Sequence, residues 1–215
     1  MDTANLAEIS QYLKYSWIDG VTTNPTLLRG EKKNRMVQIN EILKIIGEKE
    51  LFVQVSGNTT KEMIEDAESL IQHFGTKIIL KIPADRIGFE AIEEIKREYP
   101  STKILATAIF SVEQAYLAGL AGCEWIAPYI NRMENQSLEA IEVMAKISTL
   151  YASQVIETKI LGASFKNSSQ VTNCLLAGAH DVTVPVSILD TILTNKLADD
   201  SIKVFNEHAL EVQSY

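Results

Sequence analysis

The sequence is poor in residues that several functional classes require. Acidic residues outnumber basic ones, giving a formal net charge of -8, and there are only two cysteines and three histidines. The acidic balance argues against a nucleic-acid or anionic-membrane surface, since both need clustered lysine and arginine. Cys123 and Cys174 stand apart from each other and from any histidine, so we interpret both as small buried apolar residues. We expect no metal and no cofactor.

Long apolar runs and secretory segments are also missing. No stretch of about 18 apolar residues occurs, and the N-terminus has no basic segment followed by an apolar one. We therefore expect a cytoplasmic protein with no membrane partner. With 46% hydrophobic and 22% charged residues, the composition is that of an ordinary globular chain. We expect one domain over residues 1–215.

Short β-branched segments alternate with longer segments of helical periodicity. The predicted strands are a stub at residues 1–3 and segments 18–23, 51–56, 78–83, 103–109, 124–130, 159–165 and 181–185. The predicted helices include 61–73, 89–97, 111–120, 138–151 and 168–177. This α/β pattern of eight strands, each followed by a helix, predicts a single (βα)8 TIM barrel. An open doubly wound sheet is the alternative, although no G-x-G-x-x-G follows the first strand.

An additional C-terminal helix is predicted at 197–212, within the segment 196–215. It packs either on its own barrel or on a neighbouring subunit, and the second arrangement implies an oligomer.

Lys81 lies in the middle of an apolar run, residues 77–85, that is typical of a fully buried strand. An amine among apolar groups has a lowered pKa and becomes a nucleophile at neutral pH, which indicates a Schiff-base enzyme. The alternative is that Lys81 ends the strand and extends its amine to water.

Polar residues interrupt nearly every predicted strand near its carboxyl end, where barrel enzymes build their active sites. The candidates are Asp2, Thr23, Asn24, Gln54, Ser56, Lys81, Thr107, Tyr129, Asn131, Arg132, Ser164 and Lys166. When an amine attacks a ketone, the resulting carbinolamine loses water only if a proton reaches the leaving hydroxyl. Thr107, Tyr129 and Gln54 are suited to hold a water that delivers this proton.

Two further pairs are suited to bind a substrate. Asp2 and Asn24 can orient the lysine or substrate hydroxyls. Arg132 and Ser164 can bind a phosphate, because guanidinium binds oxyanions through two donors and the loop after the seventh strand commonly contributes to the phosphate site of barrels. The predicted partner is therefore a small-molecule sugar phosphate.

These residues resemble the short transaldolase family, on its fructose-6-phosphate aldolase branch. The resemblance is carried nearly end to end by residues 2–3, 20–25, 51–55, 80–83, 107–108, 127–132 and 163–166. It implies class I chemistry with a Schiff base on Lys81, and a homodecamer of two pentamers held partly by the C-terminal helix. The site residues implied are catalytic Lys81, Tyr129, Gln54, Thr107 and Asp2, and substrate-binding Asn24, Thr23, Arg132, Ser164, Asn131 and Lys166.

The implied reaction is reversible cleavage of D-fructose 6-phosphate to dihydroxyacetone and D-glyceraldehyde 3-phosphate. Transaldolases of this family usually have Glu where this chain has Gln54 and Phe where it has Tyr129, so both residues favour the aldolase. One alternative is a transaldolase that passes the dihydroxyacetone unit to erythrose 4-phosphate, and another is a sugar-phosphate-binding paralogue without turnover. Family members have several strand residues before the aspartate, whereas here only Met1 precedes Asp2. We expect either a very short first strand or a start downstream of the true one.

Overall fold

A curled parallel sheet forms the centre of the molecule in the computed structural model, which describes residues 1–213. Its strands are β1 (Gly20–Thr22), β2 (Glu50–Gln54), β3 (Ile79–Pro83), β4 (Ile104–Ile109), β5 (Trp125–Pro128), β6 (Lys159–Gly162) and β7 (Asp181–Val182). They are neighbours in chain order, and every pair is parallel. This order confirms the predicted barrel, because in a doubly wound sheet the strand order reverses at a switch point.

The stub at residues 1–3 lies between β7 and β1. Asp2 forms an isolated parallel bridge with Thr22. The amide of Thr22 donates to the carbonyl of Met1 over 2.8 Å, and the amide of Asp2 donates to the carbonyl of Val184, also over 2.8 Å. The predicted first strand is therefore reduced to one bridge with a few hydrogen bonds, and the barrel is only partly closed here.

Helices surround the sheet. They are α1 (Leu6–Tyr12), α2 (Pro25–Gly30), α3 (Arg35–Ile46), α4 (Thr60–Phe74), α5 (Arg86–Glu98), α6 (Val112–Leu120), α7 (Ile130–Glu134), α8 (Ala140–Gln154), α9 (Ser168–Leu176), α10 (Val186–Leu193) and α11 (Lys196–Val212), with a 3-10 turn at Gly75–Lys77. Most begin after a side chain that accepts a hydrogen bond from an amide of the first turn, which satisfies donors that the helix itself leaves unpaired. These residues are Asn5, Asn24, Asn34, Thr59, Asp85, Ser111, Asn167 and Asn195.

The prediction of a strand over residues 124–130 was wrong at its end. The strand stops at Pro128, and α7 begins at Ile130. The amide of Ile130 donates to the carbonyl of Ala163 over 2.9 Å, and that of Asn131 donates to the carbonyl of Ser164 over 2.7 Å. Main-chain groups beyond β6 thus cap this short helix, a long-range contact that local sequence does not reveal.

The barrel interior is filled by an apolar cluster of Phe52, Ile79, Leu105, Ala127, Leu161 and Ala163. Side chains along a strand alternate between the two faces of the sheet. The residues two positions after Phe52, Ile79 and Leu105 therefore point inward as well, nearer the carboxyl ends of the strands. They are Gln54, Lys81 and Thr107, so the alternation places polar groups above an apolar floor.

The predicted C-terminal helix is present as α11, whereas residues 214–215 of the predicted segment lie outside the described residues. None of the residues of α11 is buried, and Leu197 and Phe205 are 79% and 66% exposed. Within residues 1–213, no helix is long and apolar enough to cross a membrane.

Candidate active site

Lys81 lies on the inner face of β3 and is only 5% exposed. Its Nζ donates to the main-chain carbonyl of Thr23 over 2.8 Å. Burial lowers the pKa of Lys81, and the negative charge of Asp2 acts in the opposite direction. The alternative in which this amine extends to water is therefore wrong. An amine whose pKa is lowered by burial is more often neutral and is able to attack a carbonyl carbon.

A pocket of about 180 Å³ opens over Lys81 at the carboxyl ends of the strands. The structure brings six of the predicted site residues together around it: Asp2, Asn24, Lys81, Tyr129, Arg132 and Ser164. Asp2 comes from the stub, Asn24 from the loop after β1, and Lys81 from β3. Tyr129 comes from the end of β5, Arg132 from α7, and Ser164 from the loop after β6. One carboxylate, one amide, two hydroxyls, one amine and one guanidinium thus face the same space.

Tyr129 and Thr107 form a pair of hydroxyls beside the pocket. Their oxygens are 3.0 Å apart, and Thr107 is only 1% exposed. The ring of Tyr129 packs edge-on against Phe110, with 5.7 Å between ring centroids. The guanidinium of Arg132 lies 4.9 Å from the centroid of the same ring, within cation–π distance. These contacts fix the position of the phenol beside the pocket.

A β-bulge in β4 ends the inward alternation at Thr107. The register of β4 against β5 shifts between Ala106 and Ile109, and Ala108 has a φ of 57°. Ile109, two positions after Thr107, consequently packs in the outer core instead of inside the barrel. A left-handed conformation costs a non-glycine residue roughly 1 kcal/mol or more, and bulges of this kind are frequent beside active sites.

Gln54 is the register partner of Lys81 in the β2–β3 pair. It does not line the pocket over Lys81 but lies at a neighbouring pocket of about 220 Å³, together with Arg29, Arg35 and Ser56. The predicted proximity to the lysine therefore holds along the backbone.

The main chain of Gln54 is fixed by an ion pair between α3 and α4. Its carbonyl accepts a hydrogen bond from Arg35 over 2.6 Å, and Arg35 pairs with Asp66 at 2.7 Å. The second oxygen of Asp66 accepts from the amide of Ser56 over 2.8 Å. Because β1 ends at Thr22, the carbonyl of Gln54 has no strand partner on that side. Arg35, held by Asp66, supplies the hydrogen bond that a neighbouring strand would otherwise donate to this carbonyl.

Asn24 faces the pocket from the start of α2. Its Oδ1 accepts from the amide of Leu27 over 3.0 Å and so caps the helix. This cap fixes the orientation of the amide group at the pocket wall.

Three predicted substrate ligands do not present their side chains to the pocket. The hydroxyl of Thr23 is buried and donates to the carbonyl of Phe52 over 3.0 Å, so only its carbonyl contacts Lys81. Asn131 Oδ1 accepts from Gln170 Nε2 over 3.3 Å. Lys166 is exposed, and its amide donates to Gln170 Oε1 over 2.7 Å. Gln170 thus connects Asn131 and Lys166 behind the pocket wall, a role that sequence reasoning did not identify.

Two polar residues of the pocket were missed by the sequence analysis. Thr22 and Thr183 line the pocket beside Asp2, and both are at most 5% exposed. Strand alternation was the available signal, since Thr22 and Thr23 necessarily point to opposite faces.

Cys123 and Cys174 are buried free thiols, as interpreted from the sequence, and burial raises the pKa of each to about 12. Within the described residues, 1–213, no group of three or more His, Cys, Asp or Glu side chains is arranged to hold a metal ion.

Comparison with known protein families gives a match over nearly the whole chain. The family model described as transaldolase/fructose-6-phosphate aldolase matches residues 1–214. The match spans every strand of the barrel and all the residues around the Lys81 pocket. It covers both branches of the family and does not separate one from the other. The chain therefore belongs to the transaldolase/fructose-6-phosphate aldolase family and is an enzyme of the aldolase and transaldolase type.

Proposed function

We propose that the enzyme is a class I aldolase that reversibly cleaves D-fructose 6-phosphate to dihydroxyacetone and D-glyceraldehyde 3-phosphate. The observation that carries this proposal is the Lys81 amine, 5% exposed and with a pKa lowered by burial, beneath a polar pocket. We also propose a cytoplasmic location, where reducing conditions keep Cys123 and Cys174 as thiols.

In the proposed reaction, the neutral Lys81 amine attacks C2 of the open-chain ketose. The carbinolamine takes a proton, loses water and leaves an iminium ion. Removal of the proton from the C4 hydroxyl then breaks the C3–C4 bond, which releases glyceraldehyde 3-phosphate and leaves an enamine on the lysine. Protonation of the enamine at C3 and addition of water free dihydroxyacetone and restore the amine.

The proton transfers are assigned to Tyr129, Thr107 and Gln54. The 3.0 Å contact between the phenol and the Thr107 hydroxyl makes a site at which a water can bind near the amine. A phenol hydroxyl can donate a proton to such a water and take it back. Asp2 and Asn24, on the pocket wall, are assigned to align the amine and the hydroxyls of the substrate.

The phosphate is assigned to the side of the pocket formed by Arg132 and Ser164. The chain has a net charge of -8, so an anionic substrate needs a local cation. The guanidinium of Arg132 supplies one with donors suited to an oxyanion. Ser164 has a φ of 62°, which turns the chain directly after β6 and brings its hydroxyl to the pocket.

Transaldolase activity is the second candidate, because the family match includes it equally. In that reaction the enamine stays covalently bound to Lys81 until erythrose 4-phosphate binds as the acceptor. Gln54 and Tyr129 favour release over transfer, since transaldolases of this family usually carry Glu and Phe there.

The direct test is borohydride trapping combined with product analysis. Incubation with dihydroxyacetone and borohydride should add one reduced adduct, which peptide mapping places on Lys81. Fructose 6-phosphate alone should release free dihydroxyacetone, and unphosphorylated fructose should react far more slowly because it lacks the group assigned to Arg132. Release that begins only when erythrose 4-phosphate is added would move the assignment to transaldolase. No adduct, with fructose 6-phosphate still bound, would indicate a binding paralogue.

We further propose that α11 packs on a neighbouring subunit, in a homodecamer of two pentamers as the resemblance implies. At 100° per residue, one face of α11 carries Leu197, Ile202, Val204, Phe205 and Val212. Each of these side chains is between 45% and 79% exposed. An apolar face of this extent is stabilised by burial against another surface.

Phe205→Glu should dissociate this assembly, because it places a charge in the middle of the apolar face. Light scattering coupled to size exclusion should give a mass near ten subunits for the unmodified protein and a much smaller one for the variant. Lys203→Glu, on the polar face of the same helix, serves as control and should leave the mass unchanged. A monomeric unmodified protein would overturn the proposal.

A further inference from the structure

Two buried threonines connect to the carboxylate of Asp2 by a chain of hydrogen bonds. The Thr22 hydroxyl donates to Asp2 Oδ1 over 2.7 Å and lies 2.7 Å from the Thr183 hydroxyl. Thr22 is 3% exposed and Thr183 is 5% exposed. All three residues line the pocket over Lys81, so the chain of hydroxyls runs along the wall of the active site.

The number of hydroxyl hydrogens determines which group donates in each of these hydrogen bonds. An ionised carboxylate only accepts hydrogen bonds, and a threonine hydroxyl has a single hydrogen to donate. Because Thr22 gives its hydrogen to Asp2, it must accept the hydrogen of Thr183. Both hydroxyl dipoles therefore point toward the carboxylate, which they orient and whose negative charge they stabilise.

We propose that Thr183 and Thr22 are positioning residues that hold the Asp2 carboxylate in its working orientation toward Lys81 and the substrate. The inference rests on the proposed function, in which Asp2 aligns the lysine and the substrate hydroxyls.

The same neighbours hold both the main chain and the side chain of Asp2. Asp2 lies on a stub that is joined to β1 by a single bridge. Its amide donates to the carbonyl of Val184, and the amide of Thr3 donates to the carbonyl of Thr22 over 3.2 Å. The neighbours that hold the backbone of the stub, Thr22 and the segment around Thr183, are thus the same ones that hold its carboxylate.

Electrostatics connects this orientation to the nucleophile. The charge of Asp2 raises the pKa of Lys81 against the larger effect of burial, so the two groups interact through the pocket. The Coulomb energy depends on their separation and rises where water is excluded. A carboxylate that swings away therefore changes both the protonation of Lys81 and the alignment of the substrate.

Thr183→Val and Thr183→Ser together test the proposal. Valine keeps the shape of threonine but has no hydroxyl, whereas serine keeps the hydroxyl and loses a methyl group. We expect kcat for fructose 6-phosphate cleavage to fall roughly tenfold or more in Thr183→Val, with KM changed by less than about threefold, and to recover in Thr183→Ser to near the original value. If Thr183 had a purely structural role, Thr183→Ser would have the lower kcat of the two variants, since serine leaves the larger packing defect.

A second measurement separates action through Asp2 from a direct effect on the substrate. In an Asp2→Ala background, Thr183→Val should cause no further fall in kcat, because the group that it positions is already gone. Thr158→Val is a matched control: Thr158 is 5% exposed and donates to the carbonyl of Cys123 over 2.7 Å, away from the pocket. It should lower the melting temperature without lowering kcat.

The outcomes are distinct from those of the proposed function. If borohydride traps an adduct on Lys81 but Thr183→Val turns over like the unmodified enzyme, the positioning role is wrong and the aldolase assignment stands. An additive loss of kcat in the Asp2→Ala background also overturns the positioning role. If the unmodified enzyme gives no adduct and no cleavage, the failure lies with the proposed function.

Discussion

Lys81→Met is expected to abolish turnover of fructose 6-phosphate, lowering kcat by on the order of 10⁴-fold or more, because no other group replaces a covalent nucleophile. The borohydride-dependent adduct should disappear in the same variant. Methionine has a similar length and no charge, so the barrel interior is kept. Lys77→Met is the matched control: Lys77 is exposed and lies two residues before β3. Turnover at an undiminished rate in Lys81→Met would remove the Schiff base from the mechanism.

The same variant should be more stable than the unmodified enzyme, by an amount that depends on pH. The pKa of Lys81 is lowered in the folded state from an ordinary value of 10.5. The unfolded chain therefore binds more protons than the folded one as the pH falls below that value, which favours unfolding. Removing the amine relieves this penalty at pH 7, and the gain should shrink toward pH 10. Thermal melts of both proteins at pH 7, 8.5 and 10 measure it, and a gain that does not vary with pH would contradict the expected titration.

Gln54→Glu combined with Tyr129→Phe is expected to shift the enzyme from release of dihydroxyacetone toward transfer to erythrose 4-phosphate. Loss of the phenol removes the hydroxyl that contacts Thr107, and general acid–base catalysis of this kind is worth roughly 100-fold or more. Release of dihydroxyacetone should slow by about that factor. A carboxylate at position 54, the register partner of Lys81, supplies a new proton acceptor for the transfer reaction.

The ratio of transfer to release measures this shift, and we expect it to rise at least about tenfold in the double variant. Both products are assayed in one mixture of fructose 6-phosphate and erythrose 4-phosphate. Gln136→Glu, at an exposed residue after α7, controls for the added negative charge. If the ratio stays constant, these two residues do not determine the outcome, and the assignment to the aldolase branch loses its main support.

Strand periodicity predicted the barrel and much of the pocket, because both depend on local patterns. The βα alternation placed the strands, and polar residues near strand ends identified Lys81, Tyr129 and Asp2. The same rule of alternation was not applied to neighbouring threonines. Thr23 was selected although its side chain points away from the pocket, while Thr22 one position earlier lines it.

The remaining errors come from contacts between segments that are distant in the sequence. The bulge at Ala108 depends on the register of β4 against β5. The start of α7 depends on carbonyls that follow β6, and the position of the Asn131 side chain depends on Gln170 in α9. The hydrogen bonds among these contacts join residues at least 18 positions apart, which the pattern of a single sequence does not encode. The register of β4 against β5 is defined only in the assembled sheet.

Because of the Arg35–Asp66 pair, the main chain at position 54 is supported independently of the side chain that stands there. Arg35 binds the main-chain carbonyl of Gln54 and not its side chain, so any residue at this position receives the same support. Substitutions there can alter the handling of protons beside Lys81 without weakening the end of β2. The barrel thereby holds an exchangeable side chain next to its nucleophile. Residues at position 54 can therefore be exchanged while the strand end that carries them keeps its hydrogen bond to Arg35.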